Sequence, residues 1–380
     1  MIHKANRLNL VKEYYFSTKL QEISGLLSQG KSIINLGIGS PDLAPPKEVI
    51  TAIANAVEDE TKHSYQSYQG LPELRKAIGN FYKTQFNVSL NTNTEILPLM
   101  GSKEGIMHIS MAFLNRGDSV LIPNPGYITY ASTAKMLEAT PIYYDLKVAN
   151  NWYPDFNELE KLDLSKVKIM WINYPNMPTG SKGSKDLFEK LIAFARKHQI
   201  LLVNDNPYSF VLNNKPLSIL NIEGAKDVAI ELNSLSKTFN MAGWRVGMLL
   251  GNSSYIKTVL QVKSNMDSGM FYGIQQGAIA ALNSSNEWFD SINKIYQKRR
   301  EIVWQILDKL HCTYQKENVG LFVWAQIPNH TTANKFTDEL LYKKDVFITP
   351  GTIFGSNGAQ YIRISLCVNE ELLNEVLNKV

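Results

Sequence analysis

The stretch that decides the fold and the chemistry is Ser234-Leu-Ser-Lys-Thr-Phe-Asn-Met-Ala-Gly-Trp-Arg245. Lys237 stands between small hydroxyl residues, and Arg245 lies further along the same segment. A lysine amine condenses with aldehydes, and serine hydroxyls together with an arginine suit a phosphate. Alone, the segment also fits a basic loop with two solvated serines. If the rest of the chain agrees, the segment predicts a site for pyridoxal phosphate, a cofactor that carries both an aldehyde and a phosphate.

The strands predicted around this stretch favour an α/β fold with a mostly parallel, doubly wound sheet. Apolar runs at 166–174, 200–205 and 228–233 are typical of strands covered on both faces, and helical patterns alternate with them. Ligands of such sheets bind beyond the C-terminal ends of the strands. Residues at predicted strand ends should therefore meet at one edge of the sheet: Tyr127, Asn173, Asp205 and Lys237.

Two glycine turns add candidate ligand contacts. Gly39 ends a short apolar strand, where a glycine lets the backbone approach a ligand closely. Gly101, Ser102 and Lys103 open a predicted helix, whose N-terminal amides and dipole suit a phosphate. Each turn has an ordinary alternative, a simple turn for the first and a helix cap for the second.

The pattern changes after about residue 275 to a long helix followed by strands and helices in α+β order. We therefore predict a large domain over 45–275. A smaller α+β domain is predicted from 1–44 together with 276–380.

Composition excludes several classes of protein. The chain has 380 residues, 44% hydrophobic and 19% charged, which is ordinary for a globular protein of two domains. The net charge of +4 comes from dispersed Lys and Arg, so neither nucleic acid nor a membrane is an expected partner. Cys312 and Cys367 give no disulfide framework and no metal-ligand spacing, so no metal is expected. Since neither a signal peptide nor a spanning run is present, we expect a soluble cytoplasmic protein.

With the cofactor placed on Lys237, other residues acquire roles. Asp205 would keep the pyridine nitrogen protonated, and Tyr208 would bind the ring's phenolic oxygen. Lys237, once displaced by the substrate amine, would move the α-proton as a base. Arg363, on a strand near the C-terminus, could bind the substrate carboxylate with two hydrogen bonds, although a surface arginine is the simpler interpretation of that residue alone.

At this point the chain resembles the class I/II, fold-type I aminotransferases, which use pyridoxal phosphate. The resemblance runs from about Leu36 to Ser365, and the Lys237 segment is similar to the family's very specific lysine signature. Other motifs are similar to the LL-diaminopimelate and aspartate-type branch: 101–105, 123–127 and 263–269.

The resemblance implies a ping-pong transfer of an amino group from an L-amino acid to a 2-oxo acid. It makes Lys237 the Schiff-base lysine and proton shuttle, with Asp205 and Tyr208 as its catalytic partners, and it implies a homodimer in which Tyr65 reaches the neighbouring subunit's phosphate. Gly39, Tyr127 and Arg363 are implied at the substrate. The implied cofactor-binding set is Tyr65, Gly101, Ser102, Lys103, Tyr127, Asn176, Asp205, Tyr208, Ser234, Ser236, Lys237 and Arg245.

One position departs from the family. An asparagine usually bonds the cofactor's phenolic oxygen from the turn Asn-Pro-Thr-Gly, and here Met177 takes its place. A thioether cannot donate a hydrogen bond. Either Asn176 replaces the missing donor or Tyr208 remains the oxygen's sole partner, and our hypothesis is the second, with a raised imine pKa.

Two other functions use the same residues. A carbon–sulfur β-lyase needs the same lysine and aspartate, so the sequence separates it poorly from a transaminase. A non-catalytic cofactor-binding or partner-binding protein is the second alternative, motivated by Met177. It is opposed by the presence of all five key residues: Lys237, Asp205, Tyr208, Arg245 and Arg363.

Overall fold

The computed structural model describes residues 2–380, so Met1, the first residue of the predicted small domain, lies outside the described residues. A short 3-10 helix, Asn6–Leu10, precedes the first α-helix. The helices are α1 (Tyr15–Ser28), α2 (Lys47–Glu58), α3 (Pro72–Phe86), α4 (Ser102–Phe113), α5 (Ile128–Met136), α6 (Phe156–Leu159), α7 (Lys185–His198), α8 (Ala225–Val228), α9 (Leu235–Thr238), α10 (Ser253–Lys263), α11 (Tyr272–Leu282), α12 (Glu287–Lys309), α13 (Ala333–Lys344) and α14 (Glu370–Lys379). The strands are β1 (Ile34–Asn35), β2 (Ile96–Leu99), β3 (Ser119–Asn124), β4 (Thr140–Asp145), β5 (Val167–Ile172), β6 (Leu201–Asp205), β7 (Ala229–Ser234), β8 (Gly247–Gly251), β9 (Thr313–Tyr314), β10 (Phe322–Gln326), β11 (Val346–Phe347), β12 (Thr349–Pro350) and β13 (Tyr361–Ser365).

A seven-stranded sheet forms the centre of the molecule, in the order β2-β8-β7-β6-β5-β3-β4. Strands β3 to β7 run parallel, whereas β8 is antiparallel to both of its neighbours. The central strands are buried along their length because apolar side chains pack on both faces. The predicted mostly parallel α/β sheet is confirmed, and the carboxyl ends of β3, β5, β6 and β7 share one edge.

A second, antiparallel sheet has the order β12-β13-β10-β9. It carries Arg363 on β13, directly opposite Trp324 on β10. The chain's first strand joins this region, since β1 pairs in parallel with β11. The segment around β1 therefore lies beside the second sheet, while the predicted domain boundaries stay a prediction.

An ion pair between a buried arginine and an exposed aspartate fixes the segment that follows β1. The guanidinium of Arg299, on the long helix α12, holds both carboxylate oxygens of Asp42 at 2.7 and 2.9 Å. Bidentate pairs of this kind set orientation as well as distance. The segment that contains Gly39 is consequently held against the second sheet.

Within residues 2–380, no helix is long and apolar enough to cross a bilayer.

Candidate active site

A cavity of about 510 Å³ opens at the carboxyl edge of the large sheet. The four residues predicted at strand ends all line it, namely Tyr127, Asn173, Asp205 and Lys237. Parallel strands place their carboxyl ends together, which is why residues far apart in sequence converge here. The N-terminal segment and β13 close the opposite side.

Lys237 lies on α9, a single turn that directly follows β7. Its Nζ donates a hydrogen bond to the carbonyl oxygen of Gly39. Burial lowers the pKa of Lys237 to about 8; nearby Cys367 raises it, while Arg363 and Arg245 lower it further. The neutral fraction near neutral pH is therefore much larger than for an ordinary lysine, and the neutral amine is the form that acts as a nucleophile or base.

Asp205 ends β6 with 5% of its surface exposed. Its Oδ2 accepts a hydrogen bond of 2.8 Å from the Tyr130 hydroxyl, and its buried Oδ1 has no partner among the described residues. Burial raises the pKa of Asp205 to about 7. The hydrogen bond from Tyr130 lowers this pKa, and the nearby Glu231 raises it. An orphaned carboxylate oxygen facing a cavity fits a cationic N–H donor, which is what a protonated pyridine offers.

Two tyrosines line the same cavity as this carboxylate. Tyr208 is buried, and burial raises the pKa of its hydroxyl, which therefore remains a hydrogen-bond donor. Tyr127 precedes α5, and its ring lies at right angles to that of Tyr130, with 5.5 Å between the centroids. Tyr127 lines the cavity, where an aromatic side chain is suited to stacking on a flat ligand.

The polar end of the cavity has the donors of an anion site. Ser102 and Lys103 begin α4, whose first amides have no partner within the helix, and Arg245 lies across Gly101. Gly101 has φ +92°, and a Cβ there would overlap the Arg245 guanidinium. Ser234 and Ser236 complete the lining. Hydroxyls, helix amides and a guanidinium together fit a phosphate, so these residues fit the predicted cofactor at both of its ends.

Arg363 lies on the other side of the cavity with 4% of its surface exposed. Its Nη2 donates to the Gly37 carbonyl at 2.8 Å, its Nη1 lies 3.2 Å from the Met177 sulfur, and its Nε has no partner in the described chain. No carboxylate of residues 2–380 pairs with it, and burial lowers the pKa of Arg363 to about 10. A buried guanidinium without a counterion is a binding site for an anion.

Two predicted cofactor residues lie away from this cavity. Tyr65 is 89% exposed in the loop before α3 and does not line it. The Asn176 carboxamide oxygen accepts a hydrogen bond of 2.7 Å from the Thr179 hydroxyl. This bond holds the Asn176 side chain within the turn 176–180. Met177 lines the cavity in its place, while the buried Asn176 Nδ2 has no partner among the described residues, so both alternatives for the missing donor stay predictions.

Several lining residues were not in the predicted site: Tyr14, Phe16, Ile38, Tyr130, Phe322 and Phe354. Tyr130 had a usable signal, because it follows Tyr127 by one turn of α5 and so lies on the same helix face. Tyr14 and Phe16 arrive from the start of the chain, where a run of three aromatic residues was the sole indication. Sequence spacing gives no means of placing them against Arg363.

One group outside the cavity has metal-ligand chemistry, although none was expected from the sequence. Ligand atoms of Glu104, His108 and Asp267 lie within 4.8 Å of one another. The Lys263 ammonium already neutralises Asp267 at 2.8 Å, and Glu104 accepts from the Met100 amide at 2.6 Å. These contacts account for both carboxylates as structural partners.

Comparison with known proteins identifies the relatives of this chain. The family model described as aminotransferase class I and II matches residues 31–380. LL-diaminopimelate aminotransferase from Dehalococcoides mccartyi is 41% identical over 99% of this chain and 97% of its own length. The protein of the same name from Aquifex aeolicus is 38% identical over 100% and 99%. The structure of substrate-bound BacF from Bacillus subtilis superposes with a TM-score of 0.95 at 37% identity, covering 100% of this chain and 97% of that one.

Proposed function

The chain belongs to the class I and II aminotransferases, a family of pyridoxal-phosphate-dependent transaminases, and from this premise we propose the roles of its residues. When bound, the cofactor supplies an electron sink for the bond broken at the substrate's α-carbon. The protein must then hold that cofactor, orient the amino acid and move one proton. The cavity contains residues suited to each of these tasks.

Lys237 carries the proton transfer in this proposal. Its Nζ takes the proton from the α-carbon of the bound amino acid and, in the second half of the cycle, delivers a proton to the α-carbon derived from the 2-oxo acid. The lowered pKa of Lys237, about 8, supports this role because a base works best when its pKa lies near the operating pH. Its hydrogen bond to the Gly39 carbonyl directs the amine toward the Arg363 side of the cavity.

Asp205, Tyr208 and Tyr127 hold the ring. Asp205 offers its orphaned Oδ1 to the pyridine N–H, while the Tyr130 hydroxyl fixes the other oxygen. Tyr208 donates to the phenolic oxygen, and Tyr127 stacks on the ring face. Ser102, Ser234, Ser236, Lys103 and Arg245 take the phosphate.

Arg363 binds the α-carboxylate shared by the amino acid and the 2-oxo acid. The observation that carries the proposal is that one cavity contains three incomplete partners: the Lys237 amine, the orphaned Asp205 oxygen and the unpaired Arg363 guanidinium. A pyridoxal phosphate joined to an amino acid would complete all three.

We also propose that two copies of the chain associate through the surface around Tyr65. Apolar side chains are exposed there, with Ile50 and Val57 on α2 and Phe271 before α11. Gly269 packs on the backbone of the Tyr65 loop, which joins the two parts of this surface. Exposed apolar patches of this kind mark interfaces. Light scattering should give twice the mass of the chain, and a monomeric mass that retains full activity would contradict the proposal.

A half-reaction tests the transaminase roles. The cofactor-loaded protein is mixed with single amino acids, diaminopimelate included because the relatives' names make it one donor to test. We expect a change in cofactor absorption together with one equivalent of 2-oxo acid per chain and no ammonia. Release of ammonia and a thiol would establish the β-lyase alternative instead. No response to any amino acid, with cofactor bound, would establish the non-catalytic alternative.

A further inference from the structure

The side-chain end of the cavity has a chemical character of its own. Arg363 is surrounded by aromatic rings, with its Cζ 3.9 Å from the centroid of Phe322, 4.6 Å from that of Phe354 and 5.6 Å from that of Phe16. Guanidinium groups attract ring faces in this way, and the rings remove water from around the charge. The carboxylate of an amino acid bound at Arg363 thus lies at the edge of an aromatic wall.

The N-terminal segment extends this wall toward the opening. Tyr14 and Phe16 flank the first turn of α1, with 5.7 Å between their ring centroids, and Leu20 follows one turn later. Ile128, at the start of α5, lines the cavity as well. A substrate side chain that points away from Lys237 would therefore meet rings and aliphatic groups.

Negative charge is missing at this end. Asp205 is the one carboxylate among the described residues that line the cavity, and it lies at the ring-nitrogen position. Asp42 pairs with Arg299 and Asp267 with Lys263, while Glu13, next to Tyr14, lines the adjoining cavity and not this one. The loop 65–70, which the proposed dimer would bring from the second copy, contains no acidic residue. A second ammonium group on the substrate would therefore find no carboxylate among the described residues that line the side-chain end of this cavity.

Resting on the proposed function, we propose that this enzyme takes an amino acid with an uncharged aromatic side chain, and that it discriminates against side chains that carry a second ammonium group. Aromatic rings pack well against other rings, whereas an unpaired buried ammonium is strongly disfavoured. Phe16 and Tyr14 are then the residues that select the side chain. The names of the curated relatives describe a diamino acid, so the proposal separates this chain from them.

The test compares three donors in the half-reaction: phenylalanine, alanine as the donor without a large side chain, and LL-diaminopimelate. We expect the kcat/KM for phenylalanine to be about 100-fold higher than that for diaminopimelate. It should also be at least about tenfold higher than the kcat/KM for alanine. Diaminopimelate equal to or better than phenylalanine would overturn the proposal, as would phenylalanine no better than alanine. Failure of the proposed function looks different, because no donor, glutamate included, would then yield a 2-oxo acid.

Variants locate the effect. Phe16→Ala should lower kcat/KM for phenylalanine by about tenfold or more and leave alanine nearly unchanged. Leu27→Ala, an exposed position on the same helix away from the cavity, is the matched control and should change neither value. Leu20→Glu, at a position 42% exposed and so tolerant of charge, should raise diaminopimelate relative to phenylalanine by about tenfold. The assignment would be overturned if Phe16→Ala left the phenylalanine-to-alanine ratio of kcat/KM unchanged and Leu20→Glu left the diaminopimelate-to-phenylalanine ratio unchanged.

Discussion

The two ends of the cavity are built in different ways. The cofactor end draws its groups from residues 101–245, mostly at strand ends and helix starts of the large sheet. The substrate end draws Tyr14 and Phe16 from the start of the chain and Arg363 from the second sheet. Polar groups line the cofactor end, whereas the substrate end has a single guanidinium surrounded by aromatic rings. Damage to the cofactor end should therefore remove turnover of every substrate, and damage to the substrate end should change which substrates are used.

Lys237→Ala makes the most severe break at the cofactor end. Without the amine no side chain remains to move the α-proton, so we expect kcat to fall by about 10⁴-fold for all amino acids alike. Steady-state kinetics with several donors checks this. Lys257→Ala, an exposed lysine on α10, is the control and should retain full activity. A loss confined to one donor would contradict the proposed role.

Arg363→Ala breaks the substrate end at its charged group. The carboxylate loses its only buried counterion, so kcat/KM should fall by about 10³-fold, largely through a higher KM. Arg363→Lys retains the charge but not the two-pronged geometry and should recover only part of the loss. An unchanged KM in the alanine variant would show that the carboxylate binds elsewhere.

The raised pKa of Asp205 gives a test without substrate. Between the ordinary value of 3.8 and about 7 the folded chain keeps this proton while the unfolded chain has lost it. Stability of the cofactor-free protein therefore falls as pH rises through that window. Asp205→Asn removes this dependence, so the variant should gain stability over the parent as pH rises from about 4 to 7. Urea midpoints measured across that range check the sign. A variant whose midpoint falls relative to that of the parent as pH rises would contradict the prediction.

Met177→Asn is the smallest change and lies where the two ends meet. Asparagine would restore a hydrogen-bond donor to the phenolic oxygen and stabilise its ionised form. We expect the pH midpoint of the bound cofactor's absorption to drop by about one unit, the equivalent of one hydrogen bond. Met177→Leu loses the sulfur contact to Arg363 without adding a donor and should keep the parent midpoint. Equal midpoints in all three proteins would refute the hypothesis.

The sequence predicted the central strands and the cofactor end because both follow from local pattern. Buried parallel strands are continuous apolar runs, and their ends are marked by Asp205 and Lys237. The edge strands β2 and β4 escaped prediction. Each contains a proline, Pro98 and Pro141, which suggests a break but is tolerated where one side of a strand has no partner.

The substrate end was less predictable because it is formed by tertiary packing. Arg363 was anticipated through a family motif, whereas its aromatic neighbours were not. Nothing in local spacing indicates that Phe16 and Phe354 approach the same guanidinium across more than three hundred residues of chain. The β1–β11 pairing and the Asp42–Arg299 ion pair bring these segments together.

The origin of Tyr14 and Phe16 in the first helix has an evolutionary consequence. The part of the wall formed by Tyr14 and Phe16 belongs to neither sheet and is not among the phosphate-site residues, so these two residues can be exchanged without rebuilding the reaction machinery. A few mutations in one peripheral turn would suffice to redirect such a catalyst to a new metabolite. Proteins that share this scaffold can thus diverge in substrate specificity while they keep the same reaction.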